Sequence, residues 1–365
     1  MIVKDVNLEE LEGVINHMST DKKYNVAVVG ATGAVGQKIM SFLEEKPFNI
    51  GEIKLLSSSR SAGKKLSLLN QELTVEEAKP DSFDGIDIAF FSAGGSVSEK
   101  LVPEAVKRGT VVIDNTSAYR MTEDVPLVVP EVNEEALENH QGIIANPNCS
   151  TIQMVVALKP LAEKFGLSRV IVSTYQAVSG AGLSAEEELT TQVKQFVNGE
   201  EMEANILPVG SDKRHFPMAF NALPQIDVFE ENGYTKEEMK MVNETKKILN
   251  NKNLPVAATC VRLPVFTSHA ESVYVEVEKA NVSVDELKDT LATGKGMVLE
   301  DNIETQTYPT PLEAEGKKEV FVGRVRKDLD TANGYHLWVV SDNLVKGAAW
   351  NTVQIATSLV NKELV

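Results

Sequence analysis

Asn25-Val-Ala-Val-Val29 is a short, largely apolar run that stops dead at Gly30, and glycine returns at positions 33 and 36. A run of that length without polar alternation predicts a strand buried on both faces, as in a parallel sheet. Residues 34–45 follow with Val35, Ile39, Phe42 and Leu43 at helical spacing. Strand, glycine turn and helix together predict a phosphate-binding turn. Glycine permits the tight turn and lets the backbone approach a pyrophosphate. The helix N-terminus then offers free N–H groups and the positive end of its dipole. The spacing is G-x-x-G-x-x-G, not the commoner G-x-G-x-x-G.

The same alternation continues. Residues 53–56, 86–91 and 111–113 read as further strands, with a helix over 97–108 between the last two. That order predicts an α/β fold with a Rossmann-type, doubly wound parallel sheet. After Asn148 the pattern changes. A helix over 151–165, a β-branched strand over 169–176, a glycine-rich loop at Ser179-Gly-Ala-Gly182, a polar helical stretch and strands over 256–265, 272–277, 321–325 and 335–340 predict a second, mixed α+β domain. A last helix over 344–360, with Ala348, Ala349, Val353, Ile355 and Ala356 facing inward, is expected to return to the first domain. The chain has 365 residues, which fits two domains. The expected boundaries are an N-terminal extension at 1–23, a cofactor domain at 24–148 plus 344–365, and a catalytic domain at 149–343. Residues 1–17 are expected to be dispensable, with Met18 a second plausible start.

Charge narrows the partners. Lys plus Arg is 36 against 53 for Asp plus Glu, a net charge of −17. Such a chain repels nucleic acid and anionic membrane surfaces. An anionic substrate would need a local cluster of basic residues. The only cysteines are Cys149 and Cys260, too few for a disulfide framework and suited to a reducing compartment. No apolar stretch reaches membrane-spanning length, and the N-terminus lacks the apolar core of a signal peptide, so a cytoplasmic location is expected. No metal site is expected.

The loop after the second strand, Ser57-Ser-Ser-Arg60-Ser-Ala-Gly63, lacks the carboxylate that usually holds the ribose hydroxyls of NAD. Arg60, between Ser58 and Ser61, suits a 2′-phosphate, which points to NADP. Asn146-Pro-Asn148-Cys149-Ser-Thr151 places Cys149 at the first turn of a helix, where the helix terminus is expected to lower the thiol pKa. Read alone, this cysteine fits a nucleophile and a buried, inert thiol equally well. Cys260, inside an apolar strand, fits the inert case. Of five histidines, His269 in Arg262-Leu-Pro-Val-Phe-Thr-Ser-His269 is the best partner for Cys149, able to take the thiol proton. Arg120 lies just past a parallel strand, where ligands bind. Glu237 and Lys240 share a helix face and on their own read as a solvated salt bridge.

These motifs, together with Gln176-Ala-Val-Ser-Gly-Ala-Gly182 and Ser341-Asp-Asn-Leu344, resemble the aspartate-semialdehyde dehydrogenase family, in particular its Gram-positive form, from Asn25 to about Val360. The resemblance implies an NADP-dependent, phosphorylating aldehyde dehydrogenase serving lysine, threonine and methionine synthesis. It would reduce L-4-aspartyl phosphate to L-aspartate 4-semialdehyde and phosphate through a thioester on Cys149. It also implies roles. His269 would be the acid/base and Gln176 an orienting group. Arg262 would clamp the substrate carboxylate, Glu237 would meet its ammonium group, and Arg120, Asn148 and Lys240 would hold phosphate. Gly30, Thr32, Gly33, Ala34, Val35, Gly36, Ser58, Arg60, Ser61, Ser92, Gly94, Ser179, Gly180 and Asn343 would line the cofactor. Ser92-Ala-Gly-Gly95 departs from the family in carrying Gly where a second Ser is expected. A homodimer or homotetramer built through the second domain is implied. Two other readings remain: an N-acetyl-γ-glutamyl-phosphate reductase, whose acylated amine would leave Glu237 without an ammonium partner, and a non-catalytic paralogue.

Overall fold

The structure, a computed structural model, describes residues 22–365. The expectations for residues 1–17, and all of the 1–23 extension except Lys22 and Lys23, lie outside the described residues.

Strand β1 (Tyr24–Val29) is almost wholly buried, and helix α1 (Ala34–Leu43) follows it across the glycine turn. Beyond them come β2 (Ile50–Ser57), β3 (Lys65–Leu68), β4 (Gln71–Glu77), β5 (Ile88–Phe91), helix α2 (Gly95–Val106), β6 (Val111–Asp114) and β7 (Ile143–Ala145). They form one seven-stranded sheet in the order β3-β4-β2-β1-β5-β6-β7. All pairings are parallel except β3 with β4. The order reverses direction at β1, between β2 and β5. Open α/β sheets bind ligands beyond the carboxyl ends of strands at such a switch point. The β3–β4 hairpin was not expected. Its turn is Leu69-Asn70, both at positive φ, without the Asn-Gly or Asp-Gly signature.

Helix α3 (Cys149–Phe165) carries the chain out of this sheet and into the second. Strands β8 (Leu167–Gln176), β9 (Val256–Arg262), β10 (His269–Val277), β11 (Met297–Leu299), β12 (Val320–Lys327) and β13 (Gly334–Ser341) form a six-stranded mixed sheet, in the order β11-β12-β13-β10-β8-β9. Helices α4 (Leu183–Val197), α5 (Lys236–Ile248) and α6 (Val284–Ala292) belong to this half. One sheet face packs on α3, α5 and α6 around Ile152, Val156, Met241, Leu287, Val273 and Leu337. Each such side chain contributes about 1.5–3 kcal/mol on burial. The opposite face keeps Ile171 at 42% exposure.

Two boundaries differ from the sequence reading for identifiable reasons. Strand β9 ends at Arg262 rather than residue 265, because Pro264 has no N–H for the ladder. The last helix does not run continuously over 344–360. Residues Val345–Ala349 form one wide π-helical turn before α7 (Trp350–Asn361). Ala349, Val353, Ile355 and Ala356 join the core of the first sheet, whereas Ala348 is half-buried and lines the cleft described below. Helix α7 thus returns to the first sheet and packs on α1.

Candidate active site

A cleft of about 480 Å³ opens where the carboxyl ends of the first sheet meet the second half. Its wall includes Val35, Ser92, Arg120, Asn148, Cys149, Gln176, Ser179, Gly180, Glu237, Lys240, Arg262 and Asn343, most of the residues singled out in the sequence.

The place of Cys149 follows from local capping. Asn148 is the N-cap of α3, and its Oδ1 accepts Ser150 N at 3.0 Å and Thr151 N at 3.3 Å. Cys149 is therefore the first helical residue, two positions earlier than the expected start of the helix. Its Sγ lies 3.3 Å from His269 Nε2. Strand register sets the rest of the floor. His269 pairs with Ser341 across β10 and β13, and Gln176 pairs with Arg262 across β8 and β9. Ala270 pairs with Tyr175, so His269 and Gln176 stand side by side in one cross-strand row.

The dyad is electrically unlike the expectation. Burial, reinforced by the Glu237 carboxylate, pushes the Cys149 thiol up to about 12, against Arg120, Arg262 and the Ser150 N–H. Burial and then Arg262 push His269 down to about 3. The helix terminus alone does not favour a thiolate here: both shifts favour the uncharged forms, a thiol beside a neutral imidazole. Ala177 N donates to His269 Nδ1 at 3.1 Å. A neutral ring that accepts at Nδ1 carries its proton on Nε2, the nitrogen facing sulfur. The resting dyad is therefore set to donate toward sulfur, rather than to take its proton directly as the sequence reading expected.

Glu237 is not the solvated partner that its spacing suggested. It is 5% exposed, and its Oε1 accepts Asn148 Nδ2 at 2.9 Å and Gln176 Nε2 at 3.3 Å. Its Oε2 pairs with Lys240 at 3.1 Å. Against burial, Lys240, the Asn148 amide and Arg262 hold the carboxyl down to about 2. Lys240 also meets Asp227 at 2.9 Å, and these two carboxylates raise its pKa despite burial. Arg120 is 8% exposed and pairs with Glu244 at 3.1 Å. Arg262 Nη1 donates to Ala177 O at 2.7 Å, while its buried Nε has no partner among the described residues. A Cβ on Gly180 would come within 2.9 Å of Arg262 Nη1.

The groove fits a dinucleotide. Gly30 has φ +91°, and a Cβ there would meet Ser92 O at 2.4 Å; one on Gly36 would meet Gly30 O at 2.2 Å. No side chain caps the N-terminus of α1, so its first N–H groups are left for an anion. Thr32 Oγ1 lies 3.0 Å from Ser57 Oγ and 3.5 Å from Ser61 Oγ, joining the glycine turn to the loop after β2. Ser58 and Arg60 are exposed on that loop, and Arg60 makes no hydrogen bond or ion pair among the described residues. The nearest carboxylate by register is Glu77, opposite Ser57 and paired with Lys79 at 3.0 Å. Gly94, at φ +94°, is the N-cap of α2. Asn343 Nδ2 donates to Ser179 Oγ at 3.0 Å and its Oδ1 accepts Ser268 N at 2.9 Å, tying two loops together beside the sulfur. Among the described residues, no group of three or more His, Cys, Asp or Glu side chains is placed to hold a metal ion.

Several contributors escaped the sequence reading. Glu244 and Asp227 carry no motif, Asn146 opens the cysteine motif but was given no role, and the part of the Ala177 N–H belongs to the backbone alone. The α5 helix spacing, i to i+7 from Glu237 to Glu244, is the one signal that places Glu244 on the cleft side.

Residues 25–140 match the model of the semialdehyde dehydrogenase NAD-binding domain, and residues 158–346 match that of the semialdehyde dehydrogenase dimerisation domain. The aspartate-semialdehyde dehydrogenase of Bacillus subtilis is 62% identical over 93% of this chain and 99% of its own. That of Aquifex aeolicus is 53% identical over 94% and 99%. The fold is similar to aspartate semialdehyde dehydrogenase II from Vibrio cholerae complexed with ASA, with a TM-score of 0.87 at 47% identity over 93% of this chain and 99% of that one. The Candida albicans enzyme with NADP gives 0.73 at 28% identity over 94% and 100%. The chain belongs to the aspartate-semialdehyde dehydrogenase family.

Proposed function

We propose that this chain reduces L-4-aspartyl phosphate to L-aspartate 4-semialdehyde, with release of phosphate, through a thioester on Cys149. The observation that carries the reading is Cys149 Sγ at 3.3 Å from His269 Nε2, on the floor of a cleft lined by three cations in a chain of net charge −17. Sulfur attacks the acyl carbon, a C–S bond forms, the C–O bond to phosphorus breaks, and the thiol proton leaves with phosphate. The nicotinamide, when bound, supplies the hydride that turns the thioester into a thiohemiacetal. The thiohemiacetal, formed as its oxyanion, then collapses to the aldehyde, its C–S bond breaks, and the departing thiolate, which the His269 Nε2–H faces, takes up a proton from solvent.

Arg262 suits the substrate α-carboxylate as a planar fork with a buried, unpartnered Nε. Glu237 suits the α-ammonium group, since its anion is held down to about 2. This favours aspartyl phosphate over an N-acylated substrate, which offers that carboxylate no ammonium group. Arg120, Asn148 and Lys240 suit the phosphate, and Gln176 suits the reacting oxygen.

The cofactor is a nicotinamide dinucleotide, and the reading prefers NADP, supported by exposed Arg60 and by the absence of a carboxylate at the end of β2. Gly30, Thr32, Gly33, Ala34, Val35 and Gly36 would take the pyrophosphate, Ser58, Arg60 and Ser61 the 2′-phosphate, and Ser92, Gly94, Ser179, Gly180 and Asn343 the nicotinamide half. The reading assigns residues 24–148 with 344–365 to the cofactor domain and 149–343 to the catalytic and dimerisation domain. It takes the enzyme as a cytoplasmic homodimer or homotetramer. No helix among the described residues is long and apolar enough to cross a membrane.

The test mixes protein, L-aspartate semialdehyde, phosphate and NADP⁺ and follows reduced nicotinamide by absorbance. Phosphate-dependent signal supports the reading, and Cys149→Ser is expected to abolish turnover rather than raise KM. Substantial turnover by Cys149→Ser sinks it.

A further inference from the structure

The three cations facing the cleft are treated differently. Arg262 makes no ion pair among the described residues and keeps a buried Nε without a partner. Arg120 and Lys240, by contrast, each have a carboxylate of their own. Glu244, 1% exposed, lies 3.1 Å from Arg120, and Asp227 lies 2.9 Å from Lys240. We propose that Glu244 and Asp227 are resident counter-ions of the phosphate subsite, which keep phosphate weakly held so that it can leave at every turnover. The inference rests on the phosphate-releasing reading above and extends it to two residues that touch neither sulfur nor the row of floor side chains.

The geometry separates the two kinds of cation by the job each must do. The substrate carboxylate stays bound from attack to product, so an uncompensated guanidinium suits it. Phosphate departs midway. A bare Arg–Lys pair in a desolvated cleft would hold a dianion tightly, because charge-assisted bonds strengthen where water is excluded. Glu244 cannot swing away to vacate Arg120, since its other oxygen accepts Asn148 N at 2.7 Å, the amide just before the nucleophile. Arg120 is fixed in turn by Nε to Asn146 O at 2.9 Å and Nη2 to Asn115 O at 2.8 Å. A guanidinium has five N–H groups. Three are taken, so one on each terminal nitrogen is left for an incoming anion. The site offers phosphate directed hydrogen bonds with most of the charge already balanced. Asp227 does the same for Lys240 from the loop before α5. Its backbone sits at φ +69°, a conformation asparagine also tolerates.

The experiment compares wild type, Glu244→Gln and Asp227→Asn in phosphate-dependent oxidation of L-aspartate semialdehyde with NADP⁺. Each is also melted with and without inorganic phosphate. Glutamine keeps an acceptor for Asn148 N and removes the charge. The KM for phosphate is expected to fall about tenfold in Glu244→Gln and about threefold in Asp227→Asn, relative to the KM for the aldehyde, and phosphate should raise the melting temperature of both variants more than that of wild type. A structural role alone would lower stability equally with and without phosphate, and that outcome overturns the inference. So does an unchanged or higher KM for phosphate. Should Glu244→Gln fail to fold, Asp227→Asn, on a partly exposed loop, decides by the same two measurements. A wild type whose turnover ignores phosphate would remove the functional reading itself, and the inference with it.

Discussion

Gly347 sits in the π-helical turn Val345–Ala349, directly against Cys149. A methyl group there would lie 2.8 Å from Cys149 Cβ and 3.2 Å from its Cα, whereas ordinary contact begins at 3.4 Å, so about 0.6 Å must be found. Helix α3 has little room to retreat, with 11 of its 17 residues buried. The movement therefore falls on Cys149 and on its 3.3 Å approach to His269. A misplacement of about 1 Å costs roughly a hundredfold in rate. Gly347→Ala is expected to lower kcat by roughly 10- to 30-fold, about 1.4–2 kcal/mol of barrier. Stability responds differently. The clash costs about 1–3 kcal/mol, but alanine recovers about 0.5–1 kcal/mol of helical backbone preference. The melting temperature is expected to fall by only about 5 °C or less. The assay pairs phosphate-dependent NADP⁺ reduction with the rate of iodoacetamide labelling at Cys149. A kcat within threefold of wild type in a folded variant refutes the argument that Gly347 sets the position of the sulfur.

Gly36→Ala places a Cβ 2.2 Å from Gly30 O, so the turn must open, and dinucleotide binding is expected to weaken at least tenfold in a fluorescence titration; near-normal binding would contradict the close approach. Arg60→Asp should raise the KM for NADP⁺ more than tenfold and that for NAD⁺ less than threefold, and equal changes would remove Arg60 from the 2′-phosphate. Stability should fall in acid. His269 ordinarily titrates near 6.5 and is held to about 3, so below about pH 6.5 the unfolded chain binds the proton first and stability drains away toward pH 3, with no effect above 6.5. Glu237, held at about 2 from 4.5, contributes stability above pH 4.5 that is lost as pH falls through about 2. Urea midpoints measured from pH 7 to 4.5 should decline in wild type and decline less in His269→Asn; parallel curves would show that another group titrates.

The sequence disclosed what is local. The β1–turn–α1 unit and a helix with Cys149 in its first turn follow from periodicity, glycine spacing and the local Asn-Pro-Asn sequence within a few residues. The electrostatics were not local. Whether Cys149 is a thiol or a thiolate depends first on its burial and then on Glu237, Arg120 and Arg262, which lie 88, 29 and 113 positions away in the chain and converge only through sheet register and α5. Helix spacing could place Glu237 beside Lys240, but not bury the pair. The β3–β4 hairpin escaped because its strands are polar and its turn uses Leu69-Asn70. The wide turn at Val345–Ala349 escaped because the inward-facing apolar pattern runs through it without a break, and the close approach of Gly347 to Cys149 is visible only in the fold.

The route of the C-terminal segment has a consequence for synthesis. Asn351 Nδ2 donates to Asn146 Oδ1 at 2.7 Å and Val128 O at 3.0 Å, Lys346 pairs with Glu131 at 2.7 Å, and Thr352 Oγ1 donates to Asn115 Oδ1 at 2.7 Å. These bonds hold the loops that carry Arg120 and Cys149. A ribosome that has translated only as far as residue 340 has already delivered Cys149, His269 and all three cations, yet these C-terminal braces are still missing. A chain stopped by a late nonsense codon would therefore carry a full set of reactive side chains without activity, and loss of the final twenty residues would be felt first at a sulfur two hundred positions upstream.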